Sequence, residues 1–214
     1  MAKIAIFIDH PRCSVDGVNA IMNALQSKYQ FKIFTRHRVL DNFFNDVDLI
    51  IVPGGTGDAA TFEKVMKHHK QNIKQYIDDG GHYLGICMGA YWASGDYFDI
   101  IKGRSCVQYM NRPGSNTRRP HPKDLEVTWR GKKEKIYWYD GCSIVGNGKL
   151  DVVATYPNGD VMAAYQGRVG LIGSHPEADK DWYSSHSWMK KKWEPTKQHN
   201  WSLLLKFVDD LLRR

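Results

Sequence analysis

The sequence predicts an α/β chain built on a doubly wound, mostly parallel sheet with an antiparallel β insertion. Three observations lead there. Between Lys3 and Ile86, short apolar runs alternate with helical periodicities, the pattern that builds a parallel sheet covered on both faces. From about residue 100 to 165 the segments become short and β-like. The chain then closes on an amphipathic stripe over about 197–212. With 214 residues, 42% hydrophobic and 25% charged, a single domain spanning 1–214 with a full core is expected.

The elements follow in order. Lys3 to Asp9 contains Ile4, Ala5, Ile6, Phe7 and Ile8 without interruption, as buried parallel strands do. Val18, Ile21, Met22 and Leu25 then recur at helical spacing. Phe31 to Thr35 and Asp48 to Val52 read as the second and third strands, the latter stopped by Pro53-Gly54-Gly55. Phe62, Val65, Met66, His69, Ile73, Tyr76 and Ile77 share one face of a long helix, which Gly80-Gly81 closes. His82 to Ile86 is a further strand, and a helix begins just past Cys87. In the second half, Pro157-Asn158-Gly159-Asp160 marks a hairpin turn. Trp201, Leu204, Leu205, Val208, Leu211 and Leu212 form the terminal stripe. Trp182, Trp188 and Trp193 are expected, with Trp201, to pack that helix.

Composition excludes several classes. No apolar run approaches the roughly 20 residues of a membrane helix, and the first residues lack an apolar signal segment, so a cytoplasmic chain is expected. Cys13, Cys87, Cys106 and Cys142 are scattered without metal-ligand spacing. His68-His69 are adjacent and point to different helix faces. Net charge is +7. Ten Lys/Arg against three Asp/Glu lie between Lys102 and Lys135, so the remainder is neutral. Within that stretch Arg112, Arg118 and Arg119 sit in a Pro/Gly-punctuated loop, expected either to face water or to hold an anionic ligand or nucleic acid.

Three motifs carry chemistry. Gly85-Ile86-Cys87-Met88-Gly89 places a thiol between flanking glycines at a strand-to-helix turn, the nucleophile-elbow spacing with Cys for Ser. The turn strains its central residue, and the flanks must be small for the chain to fold back. A helix N-terminus also favours the thiolate. His175-Pro176-Glu177 ends another strand-like run and supplies an imidazole base with a carboxylate to orient it. Pro53-Gly54-Gly55 can offer backbone N–H groups to an oxyanion, with the Met88 N–H as second donor. Asp9 and His10 follow the first strand and are expected at the cleft where the strands end.

These residues resemble, in chain order, the three signatures of class I glutamine amidotransferase-like domains, which implies a flavodoxin-like sheet. The run Tyr83-Leu84-Gly85-Ile86-Cys87-Met88-Gly89-Ala90-Tyr91-Trp92-Ala93-Ser94 is similar to the elbow of the biotin–protein ligase N-terminal domain family, which includes stand-alone members. Tyr137-Trp138-Tyr139-Asp140-Gly141-Cys142 resembles that subgroup's aromatic-glycine segment. The resemblance implies catalytic Cys87, His175 and Glu177, with Gly54 or Gly55 and Met88 at the oxyanion. It departs where glutamine-hydrolysing members carry Gln: Tyr91 stands four residues after the nucleophile, and Gly173 two before the histidine.

A cysteine hydrolase or amidotransferase acting on a carboxamide or related acyl group is the leading expectation. Tyr91, Asp9, His10, Arg118 and Arg119 are then the substrate-binding candidates. The chemistry requires no metal or organic cofactor, and the partner expected beside the small-molecule substrate is a separate synthetase or ligase subunit. Two other readings stand beside it: a non-catalytic module that binds a ligand or partner in the same cleft, and a subunit that uses the basic insertion on nucleotides or nucleic acid.

Overall fold

Ile4, Ala5, Ile6 and Phe7 are fully buried because their strand lies inside the sheet and is covered on both faces. The computed structural model describes residues 1–37, 42–194 and 199–214. In it β1 (Lys3–Phe7) lies parallel to both β2 (Gln30–Phe34) and β3 (Leu49–Val52), and β4 (His82–Ile86) continues parallel beside β3. Six strands follow: β5 (Arg104–Gln108), β6 (Lys123–Trp129), β7 (Lys132–Trp138), β8 (Cys142–Gly146), β9 (Asp151–Thr155) and β10 (Val161–Gln166). Then β11 (Val169–Ile172) returns to pair parallel with β4. The sheet reads β2-β1-β3-β4-β11-β10-β9-β6-β7, with β8 joining β10 to β5. The expected antiparallel insertion is present, and it extends the parallel sheet through β10–β11. The first strand stops at Phe7, two residues short of the expected Asp9.

Helices cover both faces. α1 (Val15–Leu25) buries Val18, Ile21 and Leu25 and starts where the Ser14 hydroxyl accepts the Gly17 N–H at 3.0 Å, a cap worth about 1 kcal/mol. It packs with α6 (His199–Leu211), whose Phe207 and Leu211 press on Gly170 of β11. The opposite face receives Tyr83, in register one residue out of phase with Gly170, and its ring meets Phe98. The terminal helix was expected from about residue 197; residues 197 and 198 lie outside the described residues.

The long helix expected between Phe62 and Ile77 is two helices. α2 (Ala59–Val65) and α3 (Lys70–Asp78) are separated by a tighter turn at Lys67–His69. None of Lys67, His68 and His69 is buried, so packing does not hold the α-helical register there. The hairpin turn at Pro157–Asp160 forms as expected, with Gly159 at φ 87° and the Tyr156 N–H bonded to the Asp160 carbonyl. Among the described residues, no helix is long and apolar enough to cross a membrane.

Candidate active site

The carboxyl ends of β1, β3, β4 and β11 lie side by side, and each motif falls immediately after one of them, as ligand sites of open α/β sheets do. Cys87 leaves β4 at φ 50°, ψ −102°, a conformation that costs a non-glycine residue about 1–3 kcal/mol. Its N–H is tied to the Ile172 carbonyl at 2.8 Å. A Cβ on Gly85 would lie 2.4 Å from the Gly89 carbonyl, and one on Gly89 would lie 2.0 Å from the Val52 oxygen. Both glycines are there because α4 (Met88–Trp92) starts hard against the ends of β3 and β4. α4 has five residues, so the dipole it offers is that of first-turn N–H groups rather than of a long helix.

His175 follows β11, with its N–H on the Tyr137 carbonyl at 2.9 Å. Its Nδ1 lies 2.8 Å from Glu177 Oε1, and the two residues are 3% and 0% exposed. Burial pulls the imidazole pKa down, but the Glu177 carboxylate and a hydrogen-bonding, charge-coupled Cys87 sulfur raise it to about 10. With Nδ1 on Glu177, Nε2 is the ring nitrogen left for the sulfur. The second carboxylate oxygen, Oε2, is buried without a hydrogen-bond partner among the described residues. Gly54 faces the ring directly: a Cβ there would be 2.7 Å from His175 Cε1. Gly55 pairs with Cys13 in an isolated antiparallel bridge whose bonds are Ser14 N–H to the Gly54 oxygen and Thr56 N–H to the Arg12 oxygen. In such a pair the N–H of Gly55 itself points away from Cys13. Met88, first in α4, has an N–H without an intrahelical acceptor.

The structure thus brings Cys87, His175, Glu177, Gly54, Gly55 and Met88 together. Tyr91 joins them: a Cβ on Gly57 would lie 3.4 Å from its ring, and its hydroxyl donates to the Asp140 carbonyl at 3.3 Å. Asp9 is engaged elsewhere. Its carboxylate is buried and paired with Arg36 at 3.1 Å and Arg12 at 3.7 Å, while His10 is exposed. Arg112 is held by Asp160 at 2.7 Å, which ties its loop to the β9–β10 turn instead of aiming the guanidinium at the sulfur. Arg118 and Arg119 are exposed, and no hydrogen bond or ion pair between described residues links them to the Cys87 group. Nor do described His, Cys, Asp or Glu residues cluster in threes suited to a metal ion.

Two features of the site lay outside the sequence reading. The Cys87 thiol donates to the Tyr139 carbonyl at 3.8 Å, so the Tyr137–Cys142 run walls the sulfur; its resemblance to a known aromatic-glycine segment was the available signal. Trp182 lies 5.0 Å from His175, centroid to centroid, and also meets Tyr137. The expected packing of Trp182 and Trp193 on the last helix is replaced by a second small core with Tyr137, Ala178, Tyr183 and Met189. Trp188 is 54% exposed. Nothing in their spacing signals either outcome, because residues 178–193 hold no long periodic stripe.

Residues 11–105 match the family described as biotin-protein ligase, N terminal. Among solved structures, a glutamine amidotransferase from Thermotoga maritima is similar with a TM-score of 0.71 at 13% identity, covering 100% of this chain and 99% of that one. The PurLQS structure from Thermotoga maritima gives 0.65 at 16% identity, over 97% and 99%. A glutamine amido transferase from Methylobacillus flagellatus gives 0.63 at 8% identity, over 99% and 92%. No curated protein sequence matches the chain. The fold is that of class I glutamine amidotransferase-like proteins; at these identities the likeness is one of fold.

Proposed function

We propose that the chain is a cysteine-nucleophile hydrolase or amidotransferase acting on a carboxamide or related acyl substrate. The observation that carries this reading is the buried His175–Glu177 pair set against a strained Cys87. A protonated imidazole beside a cysteine sulfur is the arrangement in which Cys–His nucleophiles work as an ion pair. Cys87 Sγ adds to the acyl carbon, and the oxyanion is received by the N–H of Met88 and that of Gly55, which points away from the Cys13 bridge. The alternative donor, Gly54, serves better as the clearance for the imidazole. His175 then gives its proton to the leaving amine, and water or an acceptor amine opens the thioester. Glu177 holds Nδ1–H throughout and keeps the ring oriented. A separate synthetase or ligase subunit is the partner consistent with an amidotransferase role.

Limiting iodoacetamide near neutral pH, followed by peptide mass spectrometry, tests the reading. Cys87 is expected to be alkylated first. Burial pushes the Cys13 thiol up to about 12, and hydrogen bonding to Cys106 together with full burial also holds the Cys142 thiol well above its ordinary value. First labelling at Cys13, Cys106 or Cys142 would overturn the assignment, as would acyl-substrate turnover that survives Cys87→Ser.

A further inference from the structure

Two segments far apart in sequence meet at Trp188. Its indole N–H donates to the Pro122 carbonyl at 3.1 Å, which fixes the ring on the basic loop. The His186 ring lies 4.9 Å away at 30°, and the His121 ring lies 6.5 Å away near perpendicular. The Trp188 side of the surface is nevertheless open, with the residue 54% exposed. On the two segments that meet there, Arg118, Arg119, His121, Lys190, Lys191 and Lys192 are all exposed. Among the described residues, no carboxylate forms an ion pair with these arginines and lysines. Lys123 connects the two segments: burial and the nearby Lys192 ammonium both lower its pKa.

We propose that this face binds single-stranded nucleic acid, with phosphates on Arg118, Arg119 and Lys190–Lys192 and one base stacked on the open face of Trp188. Basic side chains that track a backbone, set beside an aromatic platform, make up the recognition chemistry of sequence-tolerant single-strand binding. The ring's N–H is already satisfied and its plane is fixed, so stacking requires little further ordering. A lipid surface fits less well. Of the exposed large hydrophobic residues, Trp188 alone lies on these two segments, and one ring offers little area for an interfacial anchor. The surface is independent of the Cys87 chemistry, so either reading can stand without the other.

Fluorescence anisotropy on the full chain, with a labelled oligothymidylate of about twelve nucleotides, tests this. Affinity is expected to fall as salt rises, with the log–log slope dropping by about 0.7 for each phosphate contact removed in Lys191→Ala and Lys192→Ala. Trp188→Ala is expected to weaken binding by about 5- to 150-fold, the range available from stacking one base, while Trp188→Phe retains most of the affinity. An abasic strand of the same length should bind the parent protein more weakly by a similar factor, and Trp188→Ala should bind abasic and normal strands alike. Equal affinity of the parent protein for both strands would overturn the stacking platform. So would binding to phosphatidylserine vesicles without binding to the oligonucleotide, or no binding at about 50 mM salt. Retention of Cys87 alkylation in each variant shows that the fold and the neighbouring site are intact.

Discussion

Replacing Glu177 with Gln preserves shape and removes the charge that keeps a proton on His175. In the parent protein burial disfavours that proton, and the Glu177 carboxylate with the Cys87 sulfur reverses the effect, setting the pKa at about 10 against an ordinary 6.5. At about 1.4 kcal/mol per pKa unit, a rise in this direction means that the protonated pair stabilises the fold, by on the order of a few kcal/mol. This contribution is full below about pH 6.5, where the unfolded chain is protonated too. Above that the unfolded imidazole loses its proton first, so the contribution shrinks with rising pH and is gone once the folded imidazole titrates near 10. In Glu177→Gln the carboxylate's share is absent at every pH. Urea unfolding of both proteins near pH 6, 8 and 10 reads the difference, and groups common to both cancel. The gap is expected to be about 2–5 kcal/mol near pH 6 and to close towards pH 10. A pH-independent gap would refute the coupling, as would an NMR resonance of His175 that titrates at or below 6.5 in the parent protein.

Two further outcomes follow from the site. Gly54→Ala puts a methyl 2.7 Å from His175 Cε1, and the imidazole must move; Cys87 alkylation or acyl turnover should slow by about 10- to 100-fold while the thermal midpoint changes by a few degrees, and unchanged reactivity would remove Gly54 from the site. Free L-glutamine should be a poor substrate, because Tyr91 stands where the resembled enzymes carry Gln and its hydroxyl is hydrogen-bonded to the Asp140 carbonyl; ammonia release near the common enzyme rate of about 10 per second would refute that reading of Tyr91.

What the sequence disclosed, and what it hid, follows from the range of the forces involved. The tight strand-to-helix turn at Cys87 was legible because its cause is local: Gly85 and Gly89 have no room for a Cβ, and Cys87 alone between them bears the positive φ. Continuous apolar strands were legible because burial on both faces leaves no polar alternation. The place of the second-half strands was not, since β10 pairs with β11, β9 and β8 through long-range registers that no short window encodes. Asp9 illustrates the same limit. It stands at a strand end, where ligand groups often lie, but Arg36, a distant residue, takes its charge.

Gly173 and Tyr91, where the resemblance to glutamine-hydrolysing members breaks in the sequence, meet at one crowded stretch of main chain. A Cβ on Gly173 would lie 2.1 Å from the Cys142 carbonyl oxygen and 3.0 Å from the Tyr156 hydroxyl; one on Gly141 would lie 1.9 Å from the Gly173 oxygen. The two glycines let the Tyr137–Cys142 run press onto the end of β11, where the His175 N–H bonds to Tyr137. A glutamine at position 173 has no room while that run is in place. The same run brings the Tyr139 carbonyl to the Cys87 sulfur and the Asp140 carbonyl to Tyr91. At both positions, therefore, the same Tyr137–Cys142 run sets the geometry: its main chain packs on Gly173 and accepts the Tyr91 hydroxyl, so main chain and an aromatic ring shape the approach to the Cys87 sulfur.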